Sequence, residues 1–230
     1  MDRPRIVVFA SGTRSGGGSG FENLVKASNE GVLEADIVGV VSNHEHGGVR
    51  EKAKNLGIPF IFFPGPYTAE EYQETVKRVF NSPGLLKSEN GASPSEWVAL
   101  SGWLKMVKGL DPAHTFNIHP ALLSQFGGKF GGEGMYGHHI HEAIKQALDA
   151  GLITESGISM HFVTDEYDRG PVFFEHRVPL EKGMTEEQIA EAVYAAELEW
   201  QPKITNMVVH RQISWDGKDS TTLVVPPDLK

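Results

Sequence analysis

Asn117 and His119 flank a single isoleucine in the run Thr115-Phe116-Asn117-Ile118-His119-Pro120, a spacing that could do chemistry. Side chains alternate along a strand, so Asn117 and His119 share one face while Phe116 and Ile118 take the other. Pro120 has no N–H for a ladder and ends the strand there. An amide donor and an imidazole are thereby offered side by side at a strand terminus, and both suit a developing negative oxygen. A second set lies in the stretch His161 to Pro171, His-Phe-Val-Thr-Asp-Glu-Tyr-Asp-Arg-Gly-Pro. If that loop falls beside the Asn117 strand, Asp168 can meet His119. A carboxylate partner raises an imidazole's pKa and would keep it protonated for use as an acid. Thr164, Asp165 and Gly170 read equally well as turn residues. His161 either orients Asp168 or water, or is a satisfied core histidine.

Two further features carry possible chemistry. Ser15 to Gly20 is an unbroken run of glycine and serine directly after an apolar segment. Gly18, Ser19 and Gly20 are candidates for cradling a phosphate where a helix presents its free N–H groups. A Gly-x-Gly-x-x-Gly register fails because Phe21 stands where the third glycine belongs, and no Lys-Ser/Thr follows, so a flexible turn remains open as a reading. Glu197 falls on the apolar stripe of a C-terminal helix, where a carboxylate needs a partner. His138, His139 and His141 could suggest a metal site, but adjacent residues splay apart on a helix, leaving His138 with His141 or Glu142 on one face.

The elements that must position these groups alternate. Buried apolar runs at residues 5–10, 37–41, 59–63, 97–100 and 115–119 read as strands. Helical spacing lies between them, giving parallel βαβ units. Strands are also predicted at 157–163 and 171–178. Residues 81–95 read as a surface loop, and the glycine-rich 125–137 as a loop over the site. A helix capped by Thr185 and Gln188 should be kinked or interrupted at Pro202. Residues 213–215 and 221–225 look like a terminal hairpin turning at Asp216-Gly217. The expected fold is α/β, a Rossmann-like open, mostly parallel twisted sheet with helices on both faces plus that hairpin.

Composition sets limits. A chain of 230 residues suits a single domain, 1–230. The absence of cysteine excludes thiol catalysis, and a net charge of −9 disfavours generic nucleic-acid or anionic-membrane binding. No apolar run approaches a membrane span, and residues 1–10 are too short for a signal peptide, so a cytoplasmic location is expected.

These segments resemble the glycinamide ribonucleotide formyltransferases, folate-dependent enzymes of purine biosynthesis, over nearly the whole chain. Gly18-Ser19 is similar to their phosphate loop, Asn117-Ile118-His119-Pro120 with Leu122-Leu123 to their catalytic strand, and Asp168-x-Gly170-Pro171 to their aspartate loop. The segment Gly134 to Ala143 is also similar. The resemblance implies Asn117, His119 and Asp168 as catalytic, and Gly18, Ser19, Gly20 and Glu197 as contacts to the phosphate and amine of the acceptor. It implies Trp103, Leu104, Lys105, Val107, Val163, Thr164 and Asp165 around the folate, although Trp103 and Leu104 also read as core. Residues 1–110 would then form the phosphate-binding half, 111–208 the catalytic and folate-binding half, and 209–230 the hairpin and tail. The implied co-substrate is 10-formyltetrahydrofolate, the acceptor glycinamide ribonucleotide, with no metal, and the chain a monomer or homodimer.

Departures from the family pattern are Gly20 where asparagine is common, and Lys105 where an arginine would grip the folate bidentately. Sister enzymes acting on tRNA, water or sugar amines are the alternative. The first strand begins near residue 5 and only a hairpin follows residue 208, so room for the extra domain of the tRNA or water enzyme is not expected.

Overall fold

The computed structural model describes residues 3–13, 16–82 and 95–229. Seven strands form one sheet in the order β3-β2-β1-β4-β5-β6-β7. They are β1 (Arg5–Phe9), β2 (Asp36–Ser42), β3 (Phe60–Phe62), β4 (Glu96–Ser101), β5 (Thr115–His119), β6 (Glu155–Phe162) and β7 (Val172–Pro179). The first five pair in parallel, while β5–β6 and β6–β7 are antiparallel. Ile6 to Phe9 of β1 are wholly buried because β1 is covered on both faces.

The helices are α1 (Ser19–Glu30), α2 (Gly48–Leu56), α3 (Ala69–Phe80), α4 (His138–Asp149) and α5 (Glu186–Val209). They cover the faces unequally. Apolar residues of α1, α2, α4 and α5 join one core with Ile6, Val8 and Phe116. On the other face α3 packs through Tyr72, Val79 and Phe80 onto Val7, Phe9 and Val98, and Trp103 and Val107 of the segment after β4 complete that layer. Phe9, Phe63, Tyr72 and Trp103 pack ring against ring there, and Trp103 Nε1 donates to Tyr72 Oη at 2.9 Å.

Two expectations change. Helix α5 runs unbroken through Pro202. Proline removes the donor that would meet the carbonyl four residues earlier, but that carbonyl, on Leu198, accepts from Asn23 Nδ2 of α1 at 2.8 Å instead. Between Ile213 and Val225 the pairing is a bridge of Ser214 with Val224, closed by a short 3₁₀ turn over Ser220–Thr222, rather than two full strands. Of the expected loop 81–95, residues 83–94 lie outside the described residues, as does Ser15 of the glycine run.

Candidate active site

Strand order reverses between β1 and β4, and a crevice opens beyond their carboxyl ends, where open α/β sheets bind ligands. Ser11 holds its two sides together. Its N–H donates to Gly102 O at 2.9 Å, and its hydroxyl accepts from Leu104 N–H at 2.9 Å. The glycine loop on the β1 side ends at Gly18, whose φ of 73° suits glycine. No side chain caps α1, so its first-turn N–H groups are left for a ligand. Gly18, Ser19 and Gly20 line a cavity of about 240 Å³ together with Ser101, Gln201 and Glu197.

A second cavity of about 640 Å³ adjoins it, sharing Gly102, Leu104 and Glu197 as a common wall. Asn117, His119 and Asp168 all line this second space. Strand β5 delivers the first two from one face, as alternation requires, and β6 pairs Asn117 with His161 and His119 with Ser159. Asp168 arrives because the loop after β6 doubles back. Gly170 makes that return possible: a Cβ there would stand 1.8 Å from Phe162 O.

The carboxylate sits between two imidazoles. Asp168 Oδ2 is 3.6 Å from His119 Nδ1, and Oδ1 is 3.3 Å from His161 Nε2. Each ring's other nitrogen donates to a backbone carbonyl, His119 Nε2 to Phe130 O at 2.7 Å and His161 Nδ1 to Phe162 O at 2.8 Å. Gly132 N–H donates to Asp168 Oδ2 at 2.9 Å, and Asn117 Nδ2 lies 3.1 Å from His161 Nε2. The glycine-rich segment 125–137 is therefore tied to the site through Phe130 and Gly132, beyond merely lying over it.

Burial alone would push the Asp168 carboxyl up. The His161 hydrogen bond, the charge of both imidazoles and Gly132 N–H outweigh it and hold the carboxyl at about 2. His119 corrects the sequence expectation. It is 4% exposed, and burial lowers its pKa more than Asp168 raises it. Among the described residues Glu197 has no cationic partner. Burial pushes its carboxyl up to about 7 at the junction of the two cavities.

A third, smaller hollow is lined by Trp103, Lys105, Val107, Val163 and Thr164, and shares Asn117 and Asp168 with the second. Leu104 faces the first two cavities, and its side is exposed. Trp103 and Val107 are at once lining and core. Asp165 is the exception among the expected contacts: it lines none of these spaces and accepts from Gly109 N–H at 3.3 Å. Met135, Tyr136 and Tyr167, missed in the sequence, line the second cavity. Met135 and Tyr136 sit among glycines without period, so no periodic pattern gave them a place in the site. Among the described residues no three or more His, Asp or Glu side chains are arranged to hold a metal ion. No described helix is long and apolar enough to cross a membrane.

A family model described as formyl transferase matches residues 4–205. The chain belongs to the formyl transferase family. This formyl transferase is 31% identical over 228 residues to the chloroplastic phosphoribosylglycinamide formyltransferase of Arabidopsis thaliana, covering 93% of this chain and 68% of that one. The corresponding protein of Vigna unguiculata is also 31% identical, with 96% and 66% covered, so the chain spans about two thirds of these plant relatives. Among solved structures, glycinamide ribonucleotide transformylase 1 from Symbiobacterium toebii superposes with a TM-score of 0.74 at 23% identity, covering 97% and 95% of the two chains. That likeness carries the fold. The counterpart from Geobacillus kaustophilus aligns at 27% identity and a TM-score of 0.67, with 90% and 100% covered.

Proposed function

We propose that this formyl transferase moves the formyl group of 10-formyltetrahydrofolate to the primary amine of glycinamide ribonucleotide, a step of purine biosynthesis. The observation that carries the reading is the joined cavity. The start of α1 lines one space, Asn117, His119 and Asp168 line the next, and Glu197 lines both. A substrate with a phosphate at one end and an amine at the other spans that junction. Residues 1–110 hold the phosphate, and residues 111–208 supply the chemistry and most of the folate wall, which Trp103, Leu104, Lys105 and Val107 extend.

Glu197 draws the amine into place. Once the ammonium has released its extra proton to solvent, the neutral amine nitrogen attacks the formyl carbon, forming a C–N bond and a tetrahedral centre with a negative oxygen. Asn117 Nδ2–H and the His119 N–H donate to that oxygen. His119 Nε2–H must first leave Phe130 O, so the 125–137 segment shifts as substrate enters. The growing negative charge beside His119 raises its pKa, and the ring takes up, through water, the proton that the attacking nitrogen loses. Asp168, ionised at rest, steadies that imidazolium and, through water, helps carry a proton from the attacking nitrogen to the departing folate nitrogen. The intermediate then collapses by breaking the bond from carbon to folate.

The test is an assay of purified protein with 10-formyltetrahydrofolate against three acceptors: glycinamide ribonucleotide, water and a sugar amine. Tetrahydrofolate release that depends on the ribonucleotide is expected. Formate release without any amine would instead give the water-using reaction, and the formyltetrahydrofolate deformylase from Burkholderia mallei shares this fold at a TM-score of 0.69 and 24% identity.

A further inference from the structure

Gly20 is the second residue of α1 and has ordinary helical backbone, yet no side chain fits there. A Cβ would stand 2.0 Å from Ser101 Oγ and 3.1 Å from Gln201 Oε1. Ser101 ends β4 and is 7% exposed; Gln201, on α5, is 3% exposed. Gln201 Nε2 donates to Ser101 Oγ at 2.9 Å, joining two elements a hundred residues apart. That bond uses the hydroxyl as an acceptor. Its own proton meets no acceptor among the described residues, although the hydroxyl lies in the wall of the cavity at the start of α1. A buried donor left unspent is costly unless a ligand or water takes it.

The same cavity has a second peculiarity. None of its described lining residues is Lys or Arg. An anion there is held by neutral donors, and the first turn of α1 supplies backbone N–H groups from one side only.

We infer that Ser101 is a phosphate-binding residue, its hydroxyl aimed by Gln201 to donate to an anionic oxygen beside the first turn of α1. This rests on the reading that the cavity takes the phosphate of the acceptor, and adds to it the residues that grip that end. Gly20 is glycine so that the hydroxyl can occupy the space its side chain would fill. Gln201 acts as a positioning residue: it fixes the hydroxyl rotor and keeps its proton directed into the cavity.

Calorimetric binding of glycinamide ribonucleotide, with inorganic phosphate as a second probe, tests this on the whole chain. A hydrogen bond to a charged group contributes enough that Ser101→Ala should weaken both Kd values by about tenfold or more. The KM for the ribonucleotide should rise alike, while kcat and the KM for the formyl donor stay put. Gln201→Leu should move the same constants less far. Gly20→Ala should weaken binding in the native background and add nothing in the Ser101→Ala background, because both remove one hydroxyl. Ser101→Gly serves if Ser101→Ala fails to fold, with thermal melts as the check. Unchanged Kd values in Ser101→Ala, or additive losses with Gly20→Ala, overturn the inference while formyl transfer by the native chain stands. A native chain that binds neither probe overturns the functional reading with it.

Discussion

Burial favours the uncharged form of both His119 and Glu197, and in the proposed reaction each changes state as substrate arrives. The Glu197 carboxyl, pushed up to about 7, is charged only above that pH, whereas an α-amino group stays cationic up to about 8. Acceptor binding should therefore strengthen from pH 6 to about 7.5, and Glu197→Gln should be weak and flat across that range; titration calorimetry at several pH values reads this. Because the folded pKa is raised, ionising Glu197 costs stability as pH climbs from its ordinary range through 7. The unliganded Gln variant should accordingly melt higher than the native chain at pH 8. For His119, the scale of one lost oxyanion donor sets the expectation: His119→Ala should lower kcat by roughly 10²–10³ with the fold intact. Near-native turnover would remove it from the mechanism. That Asn117 and His119 share a face was readable from type and spacing, because alternation and a terminal proline are local facts; that Asp168 lines the same space was not, since it depends on where the loop after β6 falls. Nor was the lowered pKa of His119, which depends on how deeply a ring 49 residues from its carboxylate is buried.

At the scale of elements, Pro202 shows where local rules stop. Its missing N–H argued for a broken helix, but Asn23, on another helix, takes up the stranded Leu198 carbonyl. The turn holding Glu197 and Gln201 is thereby clamped to α1, whose first residues face the same cavity. Asn23→Ala should cost about 1–3 kcal/mol by leaving that carbonyl unpaired, and should raise the KM for the acceptor; denaturant melts and steady-state kinetics check the pair of effects. Gly170 makes a sharper case. A methyl group there would run into Phe162 O, so Gly170→Ala should displace the loop and abolish most turnover, with more effect on kcat than on global melting. Sequence could mark Gly170 as a turn residue. The carbonyl it must avoid, eight residues back, comes from strand packing that spacing alone does not encode.

Taken whole, the molecule carries a net charge of −9 while its proposed substrates are anions. Long-range repulsion then slows encounter, and salt screens it. The kcat/KM for glycinamide ribonucleotide should rise between about 10 and 150 mM salt; a fall would point to cationic steering. The parallel half of the sheet was legible because strands covered on both faces are plain apolar runs. The uneven cover was not: α3 stands against four helices on the opposite face, and the space beside it is closed by Trp103 and Val107, whose letters look like those of any core. The switch from parallel to antiparallel pairing at β5 has an outcome of its own. Asn117 and His119 meet directly opposite partners on β6, so a slip of one position would exchange both for Phe116 and Ile118 in a single stroke. In a urea titration, formyl transfer and far-ultraviolet ellipticity should vanish together.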